Sequence, residues 1–178
     1  MTAKIHKTAI INSSVEIGTN VVIGPYSVIH ENVKIGDFTK IDSHCVIHPN
    51  SEIGNNNSIH DHVIIGTNPQ DLKFDTNLNT YVKILDNNII REYVSIHRST
   101  DEAKPTKIFC NTMIMANSHI GHDCIIGDNV IITNATLLAG KVMVEEYAVL
   151  GGNTLVHQHV RIGKLSMVSG GARLSKDV

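Results

Sequence analysis

Residues 15–36 read Val15-Glu-Ile-Gly-Thr-Asn-Val21-Val-Ile-Gly-Pro-Tyr-Ser27-Val-Ile-His-Glu-Asn-Val33-Lys-Ile-Gly36, and an isoleucine returns every sixth residue, at Ile17, Ile23, Ile29 and Ile35. Outward from this stretch the step holds without exception from Ile5 to Ile65. It resumes through Ile84, Ile90 and Ile96, and again from Ile108 to Ile132, continuing as Leu138, Val144, Leu150, Val156, Ile162, Val168 and Leu174. A period of six fits neither the helical 3.6 nor the heptad; it suits one side of a triangular coil in which a short strand turns its branched residue inward and a corner follows. A β-sandwich would instead show turn signals every 8–12 residues and no fixed modulus.

The positions two before the isoleucines are often small or β-branched, as at Val15, Val21, Val33, Thr39, Cys45, Ser51 and Val63, which makes a second inward position under strand alternation. Glycine often follows the repeat residue, as at Gly18, Gly24, Gly36, Gly54, Gly66, Gly127, Gly151 and Gly163, where a tight turn is expected. Three hexads make an eighteen-residue coil, and coils stack at roughly 4.8 Å, so eight or nine of them build a prism about 40 Å long. The expected fold is all-β, a parallel β-helix forming one domain over residues 1–178. The pattern leaves handedness open, because parallel crossovers in ordinary sheets are right-handed.

The composition agrees: hydrophobic residues are 42% of the chain, there is no Trp, and aromatics are 4%. Lys and Arg number 15 against 17 Asp and Glu, and the cations are scattered, so no basic stripe exists for nucleic acid. No apolar run approaches the ~20 residues of a bilayer span, and no signal-type h-region is expected. Cys45, Cys110 and Cys124 are odd in number and lack zinc-ligand spacing, which favours free thiols in a reducing cytoplasm.

The repeat breaks twice. Ile65 and Ile84 are nineteen apart, which predicts a protruding loop at about 67–80 containing Asn68-Pro-Gln-Asp-Leu-Lys-Phe74. Ile96 and Ile108 are twelve apart, with Glu102 of Asp101-Glu-Ala-Lys-Pro105 in the intervening slot, so a second loop at about 99–106 is expected to replace that hexad. Counting by eighteen puts Ile84, the Glu102 slot, Ile120, Leu138 and Val156 on one face. His122, Gly140 and Gln158 then form a column along one edge, with Gly121, Ala139 and His157 beside it and His119 close by.

Of the eleven histidines, His30, His48 and His60 each follow a repeat isoleucine and read as exposed corner residues. His119 and His122 differ, because they bracket Ile120 and His122 is followed by Asp123. A neutral imidazole accepts a proton near pH 7, and an adjacent carboxylate raises its basicity and fixes its tautomer, so His122 with Asp123 is a candidate general-base pair. No serine lies in a nucleophile elbow, and Cys45 and Cys124 occupy inward positions. Direct attack by an acceptor hydroxyl is therefore the simpler mechanism.

At these residues the chain resembles the UDP-N-acetylglucosamine O-acyltransferase family of lipid A synthesis. The resemblance rests on the Asn68–Phe74 loop, Ile90-Arg-Glu92 leading to Ile96-His-Arg-Ser-Thr100, Ala116-Asn-Ser-His-Ile-Gly-His-Asp-Cys124, Asn134-Ala-Thr-Leu-Leu-Ala-Gly140, and Gly151-Gly152 followed by Val156-His-Gln158. It implies a left-handed helix and transfer of a (3-hydroxy)fatty acyl group from acyl carrier protein to the sugar 3-hydroxyl of UDP-N-acetylglucosamine. By that resemblance His122 is the base, Asp123 orients it, and the backbone N–H of Gly140 stabilises the oxyanion. Gln70, Asp71 and Lys73 are implied to position the acceptor, His119, Lys141, His157 and Gln158 to contact substrate, and Gly170 to leave room for the acyl chain. A homotrimer with the site between subunits is implied, with no metal and no cofactor. Lys141 stands where the family usually has histidine. Beyond the segment matching Lys176-Asp-Val178 the family continues into a helical domain that supplies basic contacts to nucleotide phosphates.

Three other readings of the residues stay open: a shorter relative acting on a different acceptor or donor, a metal-dependent hydratase of the trimeric β-helix type with histidines from two subunits on zinc, and a non-catalytic trimeric scaffold. The second predicts sensitivity to chelators. The third predicts binding without turnover.

Overall fold

Each hexad forms a strand of two to four residues, and the computed structural model, which describes residues 2–178, joins these strands into three parallel sheets. The first face holds nine strands from Lys4–Ile5 to Met167–Val168, the second nine from Ile10–Ile11 to Arg173–Leu174, and the third eight from Glu16–Ile17 to Arg161–Ile162. Successive strands lie on successive faces, so every strand pairs with its counterpart one coil on, as Ile23 does with Ile41. The result is a left-handed parallel β-helix.

The interior follows from the hexad. Repeat residues from Ile23 to Ile162 are at most 3% exposed, and Val21, Val33, Cys45, Val63, Val94, Cys124, Val130 and Val142 fill the second inward position. Each buried Ile or Val contributes on the order of 1.5–3 kcal/mol, an upper bound given residual burial in the unfolded chain. Polar residues at inward positions are paired: Thr39 Oγ1 donates to the Gly54 carbonyl at 2.7 Å and Ser51 Oγ to that of His48 at 2.8 Å. Burial pushes the free thiols of Cys45 and Cys124 up to about 11 and about 12, so neither is a ready thiolate.

The corners differ from expectation. The glycines that follow the repeat residues do not make the turn; with the exception of Gly66 they keep an ordinary φ. The left-handed conformation falls two residues later, on twenty non-glycine residues among those described, from Asn20 to Leu165, with φ between 54° and 65°. Asparagine, which tolerates this region, is the commonest of them. The glycines are needed for closeness of the coils: a Cβ on Gly24 would stand 2.7 Å from the carbonyl carbon of Asp42 in the next coil.

The face assignment also needs correction. Ile84 does not share a face with Ile120: it lies on the third face, paired with Ile53 and Ile108, whereas Ile120 pairs with Ile96, which in turn pairs with Ile65. The second loop is thus an insertion at a corner and replaces no strand, since hydrogen bonding of Thr106–Ile108 to Val82–Ile84 continues the third sheet directly after Ile96. Both loops, residues 68–81 and 98–105, leave the corner between the second and third faces. His122, Gly140 and Gln158 follow Ile120, Leu138 and Val156 at that same corner, so the common edge stands although the counting that led to it did not.

Candidate active site

The corner after Ile120 turns at Asp123, whose φ of 60° belongs to the left-handed column. His122 Nδ1 lies 2.8 Å from Asp123 Oδ2, with the two side chains 13% and 14% exposed. Thr100, from the shorter loop, donates its peptide N–H to Oδ1 and its hydroxyl to Oδ2, both at 2.7 Å. Burial acts to raise the Asp123 pKa, but the hydrogen bonds from His122 and Thr100 and the attraction of His122 outweigh it and hold the carboxyl below its usual value. An ionised Asp123 accepts the Nδ1 proton, which leaves the His122 Nε2 lone pair free to take another.

Gly140 sits one coil on, against that nitrogen. It is buried, and its N–H has no hydrogen-bond acceptor among the described residues. A base and an uncommitted backbone donor therefore share one corner, the pair required for attack by a hydroxyl on an acyl carbonyl.

Beside them runs an open groove of about 610 Å³ lined by Gln70, His119, Gly140, His157 and Gln158, with Leu137, Leu155 and Arg173 along the second face. Its polar end suits an acceptor and its leucines an alkyl chain. His119 Nδ1 is 2.8 Å from Ser95 Oγ, and the His97 ring meets the His119 ring edge-on at 4.6 Å. His97 is 4% exposed, and burial, with repulsion from His119 and His122, brings it down to about 4. Burial and then His122 lower His119 as well, so both rings are neutral around pH 7.

The remaining residues singled out from sequence lie elsewhere. Asp71 and Lys73 are exposed on the longer loop and do not line the groove; Asp71 Oδ1 accepts the Lys73 peptide N–H at 2.9 Å, a local turn. Lys141 takes a left-handed corner position and faces a separate hollow of about 290 Å³ with Thr100, Asp101, Lys104, Pro105 and Asp123. Gly170 lies at the corner between the first and second faces, stacked on Gly151, where a Cβ on Gly151 would come within 2.3 Å of its nitrogen. Among the described residues no three His, Cys, Asp or Glu side chains converge to hold a metal ion.

Sequence reasoning passed over four residues that complete the site: Ser95, His97, Arg98 and Thr100. Arg98 fastens the longer loop, donating to Asn68 Oδ1 at 3.0 Å and to the Leu78 and Thr76 carbonyls at 3.3 Å, with its guanidinium 5.2 Å from the Phe74 ring centre. Glu102 joins the two loops by accepting the Asn79 N–H at 2.7 Å. The signal was present in Ser95-Ile-His-Arg-Ser-Thr100, where polar residues cluster at the mouth of an insertion.

The family model for the bacterial transferase hexapeptide (six repeats) matches residues 32–67 and 105–140. The acyl-[acyl-carrier-protein]–UDP-N-acetylglucosamine O-acyltransferase of Syntrophobacter fumaroxidans is 44% identical over 98% of this chain and 68% of the relative. That of Gloeothece citriformis is 46% identical over 64% of this chain and 41% of the relative. The solved structure of LpxA from Acinetobacter baumannii superposes with a TM-score of 0.95 at 42% identity, covering 98% of this chain and 67% of the other. The UDP-N-acetylglucosamine acyltransferase of Francisella novicida gives 0.95 at 40% identity, covering 97% and 63%. The chain spans about half the length of several curated relatives, between 41% and 55%.

Proposed function

The chain belongs to the UDP-N-acetylglucosamine O-acyltransferase family, and on that premise we propose that it moves a (3-hydroxy)fatty acyl group from acyl carrier protein to the 3-hydroxyl of UDP-N-acetylglucosamine, early in lipid A synthesis. The observation that carries this reading is the His122–Asp123 pair set against the uncommitted N–H of Gly140 at the mouth of a groove with leucine walls. In the proposed reaction His122 Nε2 takes the proton of the sugar hydroxyl as its oxygen attacks the thioester carbonyl. The oxyanion is held by the Gly140 N–H, the C–S bond breaks, and the carrier thiolate leaves with the proton from the imidazolium. These steps balance without a cofactor.

His119, His157, Gln158 and Gln70 are assigned to the acceptor and to the carrier end of the donor, and Leu137 and Leu155 to the acyl chain. We assign Gly170 to the distal part of that chain's path, on the opposite edge of the second face. Asp71 and Lys73 are assigned to an acceptor site completed by a neighbouring subunit, with Lys141 contacting substrate from the far side of the corner. A homotrimer is supported by an outward apolar column on the first face, Ile89, Met113, Ile131, Val149 and Met167, of which Ile89, Ile131 and Met167 are 41%, 36% and 80% exposed. The three free cysteines fit a cytoplasmic setting, and among the described residues no helix is long and apolar enough to cross a membrane.

The test is incubation of the protein with acyl carrier thioesters of graded chain length and UDP-N-acetylglucosamine, followed by mass spectrometry. An O-acylated nucleotide sugar is the expected product. Its absence with every donor rejects the assignment.

A further inference from the structure

The shorter loop interrupts the repeat by six residues, and hydrogen bonds from both of its ends converge on one residue, Asp123. At its start Thr100 gives Asp123 two hydrogen bonds, from the peptide N–H to Oδ1 and from the hydroxyl to Oδ2, each 2.7 Å long. Just past its end, Thr106 Oγ1 accepts the Asp123 peptide N–H at 2.8 Å. The remaining directed contact of that carboxylate is His122 Nδ1 at 2.8 Å. Three donors thus occupy a group that can accept about four, and they fix its plane as well as its position. A carboxylate held only by its own χ angles would rotate, and the imidazole bonded to it would rotate with it.

We propose that Thr100 is a positioning residue that completes a Thr100–Asp123–His122 relay, and that the 98–105 loop is inserted at this corner to deliver it. The proposal deepens the acyl-transfer reading and rests on it for its kinetic consequences. Thr100 touches no substrate in this scheme. It holds the carboxylate that holds the base, a role the family resemblance had given to Asp123 alone. Glu102, two residues on, binds the Asn79 N–H of the longer loop, so the element that steadies the base also steadies the loop carrying Gln70.

The groups that bear on the electrostatics are few. Asp101 and Lys104 from the same loop and Lys141 from the next coil share the hollow with Thr100 and Asp123, and His97 and His119 lie on the His122 side. Removal of the Thr100 hydroxyl alone leaves all of them in place. The carboxylate then loses one stabilising donor, takes up its own proton at higher pH, and draws more strongly on the imidazole Nδ1–H.

The full chain carrying Thr100→Val, Thr100→Ala or Thr100→Ser is compared with the parent in the acyl-transfer assay. The expected result for Val and Ala is a fall in kcat of about 10-fold, as for loss of one hydrogen bond to a charged group, with KM for both substrates unchanged. The acid limb of the kcat profile moves to higher pH, and Ser restores both. A second arm needs no substrate: the Asp123 carboxyl, followed by ¹³C NMR titration, shifts its midpoint upward in Val and Ala and not in Ser. Unchanged kcat and pH profile in both variants overturn the proposal. So does a loss of kcat with the acid limb and carboxyl titration unmoved, which describes a merely structural threonine. Where the parent transfers no acyl group the acyl-transfer reading fails by itself, and the NMR arm decides the relay alone, an unmoved midpoint refuting it.

Discussion

Gly140 lies one coil from His122 with its missing side chain directed at the imidazole, and a Cβ there would stand 2.3 Å from Nε2 and 2.4 Å from Cε1. The glycine is thus required twice, once for the N–H it leaves uncommitted and once for the space the ring occupies. Alanine retains the N–H and removes only the space, which separates the two requirements.

For Gly140→Ala the ring must swing away from its hydrogen bond with Asp123. A displacement of this size at a reacting group lowers kcat by about 10²-fold, while circular dichroism stays that of the parent. Activity within a factor of two of the parent would show that the ring does not work from this position.

His122→Ala removes the proton acceptor itself, and kcat should fall by roughly 10²–10⁴-fold in the same mass-spectrometric assay. The side chain contributes to no sheet, so size-exclusion behaviour should not change. Retained turnover would transfer the base role to another residue.

His97 links the site to stability. It is held neutral down to about 4 in the folded chain by burial and by His119 and His122, whereas an unfolded histidine titrates near 6.5. As pH falls from the unfolded value toward 4 the unfolded chain binds the extra proton, so stability decreases across that window and the loss levels off below it. The cost approaches something on the order of 3 kcal/mol. Melting temperatures from pH 7.5 to 4.5 should decline more steeply for the parent than for His97→Phe; parallel declines would remove His97 from the account.

Arg98 is the fastening of the longer loop. Arg98→Ala removes the donors to Asn68, Leu78 and Thr76 and the contact with Phe74. KM for the nucleotide sugar should rise on the order of 10-fold with a smaller change in kcat, and trypsin should cut at Lys73 sooner. An unchanged KM would mean that residues 68–81 keep their place without the guanidinium.

The isoleucine ladder made the coil legible because one physical demand, a branched side chain facing inward, recurs at a fixed step. The glycines were read with the right residue and the wrong reason: Gly24 answers to the backbone of Asp42 eighteen residues later, a contact that no local turn rule contains. Ile84 was placed on the wrong face because arithmetic alone does not distinguish a loop that replaces a strand from one inserted between strands; the pairing of Thr106 with Val82 decides it. His122 and Gly140 were visible as a column with Gln158, since eighteen-residue spacing holds above Ile108, and Asp123 as the acid next to His122. Thr100 and Arg98 were not, because they act across loops whose path depends on tertiary hydrogen bonds that leave no periodic mark.

The left-handed corners have a consequence for how such a molecule acquires new chemistry. Asn, Tyr, His, Ala, Lys and Leu all occupy this one letter of the hexad, at equal φ, while the inward letters admit little besides Ile, Val and their small companions. Architecture and reactivity are thus written on different letters of the same six-residue word. Asp123 and Lys141 occupy permissive corners, so a coil can gain or exchange a reactive group there while the stack beneath it stays unaltered.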